Sequence, residues 1–435
     1  MTPEIKQRIE QIRRGEVPEG YKKTKVGVVP NDWKENRLSH YLKVNNDKNV
    51  DLKYGKEDVF SISGELGIVN QIELLGRSYA GASVAPYGIV YPNDVVYTKS
   101  PLKANPYGII KTNKTGKVGI VSTLYAVFHC KENVSPNFVQ TYFEWDKKLN
   151  NYLYPIVNIG AKHDMKISDE NSLKGYVVFP HRSEQEKIAK ILSMQDKLIA
   201  LKEKLIEEKK RQKKALMQQF LTGEKRLPGF SDEWISFSIS EVVLHITTGL
   251  NPRDNFRFNE KGECFYVTIK NFHDGCIFLD ERCDKITQHD RELIHTRSKI
   301  DKGDILFASI GRVGDTYLIK EAPTEWDINE SVFAIRANTN KVYSELLNYV
   351  LSSPFSKKKF ISKVTGSTFQ SIKINDLLKH KIKIPLSFDE QRQLIEFFDI
   401  IEKEVILLQK ELDQEKQKKK ALMQLLLTGI VRVDI

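Results

Sequence analysis

The chain has 435 residues, and its 68 Lys and Arg outnumber its 57 Asp and Glu, which gives a formal net charge of +11. This length allows two or three domains with cores of their own, and the positive charge favours a polyanionic partner over a cationic one. No run of about 18 apolar residues occurs, and the start MTPEIKQRIEQIRRGE lacks an apolar segment. We therefore expect neither a membrane span nor a secretory signal, and predict a cytoplasmic protein.

Short β-type runs dominate the first part of the chain. After a predicted N-terminal helical segment at residues 1–20, apolar runs alternate with turn residues, a pattern typical of strands. We therefore predict a first β-rich domain over residues 21–183. Its strands are expected at residues 58–63, 87–92, 93–98, 116–123, 124–130 and 175–180.

A long helix is predicted to follow this domain, at residues 184–222 within a spacer region 184–227. The segment contains no Pro or internal Gly, and its apolar residues recur at three- and four-residue steps. A second β-rich domain is predicted over residues 228–386, and a second long helix within residues 387–435. The strands of the second domain are expected at residues 264–269, 275–279, 303–310, 314–320, 331–337 and 381–385.

The two predicted helices are copies of one another. KKALMQQFLTG at residues 213–223 returns as KKALMQLLLTG at residues 419–429, and Glu184 aligns with Glu390 without a gap. Gly223 and Gly429 stand where C-cap glycines are expected. Because such narrow apolar stripes are not stable alone in water, we expect an antiparallel coiled-coil-like pair in an α+β protein. The residues expected to pack against helices of this chain or its partners are Leu198, Leu205, Leu216, Met217, Phe220, Val405, Leu412, Leu422, Met423 and Leu426.

The four cysteines include no CxxC pair and fit a reducing compartment better than a disulfide framework. His273 and Cys276 lie between Cys264 and Cys283, which leaves a loose zinc site as an alternative. Structural zinc sites usually show tight ligand pairs, so small buried thiols are the favoured interpretation. No metal is expected in this chain.

The order of these features resembles that of a known family. The two dissimilar domains, the repeated helices that start with EQ, the KKALMQxxLTG finish and the GSTFQSIKINDL loop are similar to specificity subunits of type I restriction-modification systems. The resemblance covers essentially the whole chain. It implies two target recognition domains, each reading one half of a bipartite, asymmetric DNA sequence, in a subunit without catalytic activity. It also implies that N- and C-terminal segments complete a circular arrangement.

The resemblance further implies the partners and cofactors of a larger complex. Two methyltransferase subunits that carry S-adenosylmethionine would dock on the helices, and restriction subunits that use ATP and Mg would join through the complex. This chain would bind double-stranded DNA and hold no cofactor of its own.

Several polar and basic loops are candidates for DNA contact, because Arg and Lys pair with guanine, Asn and Gln with adenine, and Ser, Thr and Lys with phosphate. In the first domain, KSPLKANPYGIIK and IGAKHDM offer Lys99, Lys103, Lys111, Lys162 and His163. In the second domain, TGLNPRDNFRF, SIGRVGD and TGSTFQS offer Asn251, Arg253, Arg257, Arg312, Ser367, Thr368 and Gln370. For each residue the alternative is a solvated surface group, a turn residue or the cap of a following helix.

Catalytic motifs are absent from the sequence. The nearest approach to the Asn/Asp-Pro-Pro-aromatic loop of amino methyltransferases is Asn105-Pro106-Tyr107, which lacks the second proline and is interpreted as a turn. No GxxxxGKS/T phosphate loop occurs. We therefore expect a non-catalytic DNA-recognition subunit. The alternatives are a DNA methyltransferase or nuclease with diverged motifs, and a coiled-coil scaffold without DNA affinity.

Overall fold

The structure, a computed structural model, describes residues 2–102, 104–159, 165–253, 255–273, 275–281, 283–362 and 371–433. The chain forms two compact units: unit 1 comprises Met1–Lys202 with Glu411–Ile435, and unit 2 comprises Glu203–Lys410. The boundaries fall inside the two long helices, so each unit contains one β-rich domain and a part of each helix. Within the described residues, every helix is too short or too polar to span a bilayer.

The helices and strands are numbered in chain order. The α-helices are α1 Pro3–Arg13, α2 Gln71–Leu75, α3 Pro136–Glu144, α4 Asp146–Leu153, α5 Arg182–Leu221, α6 Ile239–Val242, α7 Gln288–Ser298, α8 Ser344–Ser352, α9 Pro354–Ser362, α10 Ile374–Leu378 and α11 Phe388–Leu427. The strands before α5 are β1 Tyr21–Thr24, β2 Gly27–Pro30, β3 Lys34–Arg37, β4 Leu42–Val44, β5 Phe60–Ser63, β6 Gly67–Asn70, β7 Gly88–Val90, β8 Val95–Thr98, β9 Ile110–Thr112, β10 Gly119–Val121, β11 Tyr125–Cys130, β12 Asn158–Ile159, β13 Met165–Lys166 and β14 Tyr176–Phe179. The strands after α5 are β15 Ile235–Ser238, β16 Val243–Thr248, β17 Cys264–Val267, β18 Phe272–His273, β19 Cys276–Ile277, β20 Asp284–Ile286, β21 Ile305–Ala308, β22 Thr316–Leu318, β23 Trp326–Ile328, β24 Val332–Ala337 and β25 Lys381–Ile384.

The β-rich domain of unit 1 is built on a four-stranded antiparallel sheet in the order β4-β11-β8-β9. Strands β8 and β9 are buried along their whole length, although only β8 is mainly apolar in sequence. Helix α3 starts with a proline at its first turn, which suits that position, and buries Phe138 and Tyr142 in the core of the unit. Smaller antiparallel pairs, β5–β6 and β7–β10, complete the outer part of the domain.

Unit 2 repeats this plan with different additions. Its four-stranded antiparallel sheet has the order β16-β24-β21-β22. A three-stranded sheet β20-β17-β23 contains a parallel pair, β17–β23, where unit 1 has a single parallel bridge between Val59 and Ile120. In both units an antiparallel strand pair, β3–β14 or β15–β25, ends where a long helix begins. The structure therefore confirms the predicted α+β fold with two β-rich domains.

Every strand expected from the sequence is present, although each is shorter than its apolar run. Strands β9 and β16 are among those that the sequence did not predict. β9 has only three residues, and β16 contains His245 between apolar and Thr residues, so neither gives a clear local pattern. β9 is fixed by pairing with the preceding strand β8, and β16 by pairing with β24, which is distant in sequence.

The long helices α5 and α11 have 40 residues each; α5 begins two residues before its predicted start, and α11 lies within the predicted region 387–435. Both end before a glycine in the left-handed region, Gly223 with φ +77° and Gly429 with φ +70°. Glycine adopts this conformation without the steric cost that a Cβ atom brings. The predicted C-cap glycines are therefore confirmed.

The two helices run antiparallel within each unit. In unit 1, Gln195 Nε2 donates to Glu415 Oε2 at 2.6 Å, and Lys202 Nζ lies 2.7 Å from Glu411 Oε2. In unit 2, Lys209 Nζ lies 2.6 Å from Glu404 Oε1. The residue numbers of the contacting positions on α11 fall as those on α5 rise, which shows that the two helices are antiparallel.

The residues predicted to pack on helices differ in their burial. Met217, Phe220, Val405, Leu412, Met423 and Leu426 are buried. Leu216 and Leu422 are half-buried against the cores of their units. Leu198 and Leu205 remain exposed in this chain, so packing of these two residues would require a partner.

A buried Glu–Arg–Trp cluster fixes each domain to its helix. In the unit 2 cluster, Arg226 Nε and Nη2 donate to the two carboxylate oxygens of Glu390 at 2.8 and 2.7 Å, and Trp234 Nε1 donates to the same carboxylate at 3.2 Å. In the unit 1 cluster, Arg432 and Trp33 bind Glu184.

The glutamine after each of these glutamates is also buried, and both its side-chain oxygen and its side-chain nitrogen form hydrogen bonds. Gln185 Oε1 accepts from Ser135 N at 2.9 Å, and its Nε2 donates to Pro180 O at 3.0 Å. Gln391 makes the equivalent bonds with Tyr343 N and Pro385 O. The EQ start of each helix is therefore a docking point for its domain.

The segment that follows α11 packs against the N-terminal segment inside unit 1. Tyr21 Oη donates to Gly429 O at 2.7 Å, and Arg8 Nη1 donates to Ile430 O at 2.5 Å. Val431 and Val433 pack against the core of the unit. The two segments therefore contact each other within unit 1, and the circular arrangement itself stays a prediction.

Candidate nucleic-acid interface

The loop between β21 and β22 in unit 2 carries Arg312. Gly311 and Gly314 have φ +68° and +89°, values that favour glycine, so the loop turns tightly on both sides of the arginine. The Arg312 side chain is exposed, and its Nη1 donates to Phe272 O at 2.7 Å. A guanidinium has five N–H donors, so this bond orients the group and leaves donors for a ligand.

The last residue of a second predicted DNA loop, Ser371, pairs with the residue that precedes this loop. Ile310 forms an isolated antiparallel bridge with Ser371, and Ile372 N donates to Ser309 O at 2.9 Å. Ser371 ends the TGSTFQS segment. The other predicted residues of that segment, Ser367, Thr368 and Gln370, lie outside the described residues.

The equivalent loop of unit 1 connects β8 and β9. It rests on α4, because Asn150 Nδ2 donates to Ala104 O at 3.2 Å and Asn105 Nδ2 donates to Asp146 Oδ1 at 3.1 Å. The Asn105 side chain is thus tied to the helix, which agrees with its interpretation as a turn residue.

This loop forms a surface recess with the segment that follows α4. The recess has a volume of about 410 Å³ and is lined by Tyr107, Tyr154, Val157 and Asn158. The ring centroids of Tyr107 and Tyr154 are 5.8 Å apart. Strands β12 and β13 pair antiparallel beside it, and residues 160–164 between them, with Lys162 and His163, lie outside the described residues. In each unit, therefore, a described residue that flanks one predicted DNA loop lies beside another predicted loop: Asn158 in unit 1 and Ser371 in unit 2.

The predicted lysines of the first loop have different surroundings. Lys99 Nζ lies 2.6 Å from Asp169 Oδ1, so its charge is paired. Lys103 lies outside the described residues. Lys111 is only 7% exposed, since β9 is covered by α3, and burial lowers the pKa of its ammonium group. This placement does not favour a DNA contact at Lys111.

The remaining candidates lie in the loop after β16. Asn255 Nδ2 donates to Asn251 O at 2.9 Å, and Arg257 Nη1 donates to Arg253 O at 2.7 Å. The side chains of Arg253 and Arg257 are exposed. The loop holds both guanidinium groups at the surface, and a role in DNA binding stays a prediction.

Two groups of residues were not identified from the sequence. Tyr154 and Asn158 lie in the recess, but neither belongs to a basic or glycine-rich motif. The exposed apolar residues Met194, Leu201 and Ile400 lie on the long helices but were not among the residues predicted to pack. Only their exposure distinguishes these residues, and exposure depends on the tertiary structure.

No metal site is evident in the part of the chain that the structure describes, where no group of three or more His, Cys, Asp or Glu side chains is placed to hold an ion. Cys264 and Cys283 are buried and Cys276 is exposed. Cys264 Sγ donates to Gln288 Oε1 at 3.0 Å, as a small buried thiol can.

Comparison with known proteins supports the expected family. Residues 231–416 match the family model of the type I restriction modification DNA specificity domain. A protein of Methanocaldococcus jannaschii named as the specificity subunit of type I restriction enzyme MjaX is 25% identical over 454 aligned positions, covering 95% of this chain and 97% of that protein. Over nearly its whole length the chain is therefore similar to a protein named as a type I restriction enzyme specificity subunit, and residues 231–416 match the DNA specificity domain of that class.

Solved structures show the same fold. A structure of a type I restriction-modification system aligns with a TM-score of 0.57 and 17% identity, covering 93% of this chain and 99% of the other. The specificity subunit from M. genitalium aligns with a TM-score of 0.52 and 14% identity, covering 93% and 96%. At these identities the similarity concerns the fold. The chain therefore shares with these structures an architecture of two β-rich domains and long helices.

Proposed function

We propose that this specificity subunit recognises a bipartite, asymmetric DNA target, one half by the domain of unit 1 and the other by the domain of unit 2. One observation carries the proposal: equivalent loops of the two domains present different side chains. The loop between β8 and β9 presents Tyr107 to a recess, whereas the loop between β21 and β22 presents an exposed Arg312. Aromatic and amide groups prefer different base edges from a guanidinium, so the two half-sites would differ.

We also propose that two copies of a methyltransferase subunit dock on the helices. Met194 and Leu201 on α5, and Ile400 and Leu407 on α11, are between 57% and 68% exposed. Met194 corresponds to Ile400, and Leu201 corresponds to Leu407, at the repeat offset of 206 residues. Residues seven positions apart lie on one helix face, so each helix carries the same uncovered apolar surface.

The cofactors in this proposal belong to the partners. The methyltransferase subunits would carry S-adenosylmethionine, and restriction subunits that bind through the complex would use ATP and Mg. DNA of the cell is the proposed ligand, so we place the subunit in the cytoplasm.

The test is to sequence modified adenines in DNA from cells that contain this subunit and its methyltransferase partner. We expect a split motif with a fixed gap. Exchange of residues 21–183 for the corresponding domain of a relative should change one half of the motif, and exchange of residues 228–386 should change the other. The mass of the purified complex should correspond to two methyltransferase copies for each specificity subunit.

Other results would contradict the proposal. A domain exchange that alters both halves would argue against separate reading, and a complex with a single methyltransferase copy would contradict the two docking surfaces. Methyl transfer or DNA cleavage by the isolated chain would support a diverged enzyme instead. DNA binding that does not weaken steeply with salt would favour a scaffold, since phosphate contacts release counterions.

A further inference from the structure

The recess in unit 1 has a rigid frame. Tyr97 Oη donates to Tyr107 O at 2.8 Å, which fixes the end of the loop between β8 and β9. Gly108 follows with φ +90°, and a Cβ atom there would lie 2.0 Å from Thr98 O, so no larger residue fits. On the other side Tyr154 N donates to Asn150 O at 2.9 Å, which continues the end of α4. The backbone of both tyrosines is therefore held in place before any ligand arrives.

The side chains that face the recess are nevertheless uncovered. Tyr154 is 70% exposed although it is a large aromatic residue, and Asn158 is exposed on the short ribbon formed by β12 and β13. Among the described residues, neither the Tyr154 hydroxyl nor the Asn158 amide has a hydrogen-bond partner. Val157, which is buried in the core of unit 1, forms the floor. The recess thus combines a fixed apolar surface with free polar groups.

The charge of the chain favours a polyanion as the ligand. Its formal net charge is +11, and DNA is the polyanion in the proposed function. Lys99, at the start of the loop between β8 and β9, is paired with Asp169.

We infer that Asn158 and Tyr154 read an A·T base pair in the half-site bound by unit 1. An asparagine amide can bond adenine N6 and N7 together, and an apolar surface can contact the methyl group of thymine. The major groove of B-DNA is wide enough for a two-stranded ribbon such as β12–β13. Tyr107 supports the Tyr154 ring from the other side of the recess. This inference rests on the proposed function and assigns specificity-determining residues within it.

The test uses the complete subunit bound to its methyltransferase partner. DNA duplexes would carry the motif of the wild type, with each base pair of the first half-site replaced in turn. Asn158→Ala and Tyr154→Leu are expected to weaken binding to the intact motif by about 5- to 150-fold, the value of one good base contact. Discrimination should be lost at a single A·T position, and the dependence of affinity on salt should be unchanged. Asn151→Ala, an exposed asparagine on α4, is the matched control and should behave as the wild type.

Each alternative occupant has its own result. Equal weakening on all duplexes, with a smaller salt dependence, would identify a phosphate contact and overturn base reading. Loss of a methyltransferase copy from the complex would show that the recess binds protein. If both variants bind every duplex as the wild type does, Asn158 and Tyr154 are solvated side chains and the inference is wrong. If the wild type has no split motif at all, the proposed function fails first, whereas a split motif that the variants leave intact rejects this inference alone.

Discussion

The Glu–Arg–Trp clusters of the two units have the same chemistry but differ in how the chain supplies them. In unit 2, Arg226 and Trp234 lie in one segment between α5 and β15, eight residues apart. In unit 1, Arg432 follows α11 whereas Trp33 precedes β3. Both arginines bind both carboxylate oxygens of a buried glutamate. Side-chain chemistry, rather than continuity of the chain, therefore defines the docking point.

The surroundings of the two arginines also differ. Arg432 Nη1 and Nη2 bind the Asp32 carboxylate at 2.9 and 2.8 Å, so this arginine contacts two carboxylates. Arg226 Nη1 donates to the main-chain oxygen of Asp232 instead. Gly429 in unit 1 lies against Pro30, whereas Gly223 in unit 2 has more room beside Trp234. Unit 1 thus holds its distant segments with one more ion pair and tighter packing.

The largest expected effect is the loss of either arginine. Glu184 and Glu390 have side chains that are at most 1% exposed. Removing the partner of a buried charge costs about 3–5 kcal/mol. Arg432→Ala should therefore destabilise unit 1, and Arg226→Ala should destabilise unit 2 by a similar amount. Hydrogen exchange measured by mass spectrometry on the intact chain assigns the loss of protection to residues of one unit or the other.

The control for this pair is Arg392→Ala, which removes an exposed arginine paired with Asp389 and should change little. Loss of protection in both units from either variant would mean that the two clusters do not act separately.

A smaller and unequal effect is expected for the two C-cap glycines. Alanine in the left-handed conformation costs about 1–2 kcal/mol, and this cost applies to Gly223→Ala and Gly429→Ala alike. A Cβ atom at Gly429 would also lie 2.5 Å from Pro30 Cδ, whereas at Gly223 it would lie 3.5 Å from Trp234 Cε3. Overpacking therefore adds about 1–3 kcal/mol for Gly429→Ala only.

Urea unfolding of the two variants checks this inequality, with hydrogen exchange locating the affected unit. Equal destabilisation by both substitutions would show that Pro30 moves away at little cost.

The smallest expected effect is the pH dependence of the stabilisation that the Asp32 carboxylate contributes to unit 1. Hydrogen bonds from Arg432 hold the pKa of Asp32 below its ordinary value of about 3.9. A lowered pKa means that the stabilisation is present above about pH 4 and is lost as the pH falls through the folded-state pKa. Because the Asp32 side chain is 63% exposed and screened by solvent, we expect at most about 1 kcal/mol.

Urea unfolding at pH 7 and pH 3 tests this expectation with Asp32→Asn. The difference between wild type and variant should be present in full at pH 7 and be smaller at pH 3. Asp232→Asn is the matched control in unit 2, because Arg226 binds the main-chain oxygen there. A difference that is the same at both pH values would show that the Asp32–Arg432 ion pair does not contribute.

The sequence predicted the repeated parts of the molecule well. The periodic apolar residues and the glycines at 223 and 429 give the two helices and their ends, because helix formation depends on neighbours within four residues. The duplicated order of domain and helix indicated the family, which the comparisons support. Strands β8 and β21, with four buried residues each, were equally clear from their apolar runs.

The candidate site depended on contacts that no local pattern contains. Lys111 lies in a basic stretch, but α3 covers its strand and buries it. Tyr154 and Asn158 face one recess with Tyr107 only because α4 carries them to the loop between β8 and β9. Such placements are set by packing between segments tens of residues apart.

The sequence by itself determined that this protein has two dissimilar domains on two similar helices, since helical periodicity and repetition are local properties. The tertiary structure decided which polar side chains are exposed and which segments meet. Glu184 and Arg432 are 248 positions apart, and Glu390 and Arg226 are 164 apart, yet each pair forms a buried contact. Burial makes those contacts strong, and burial arises only when the domains fold against their helices.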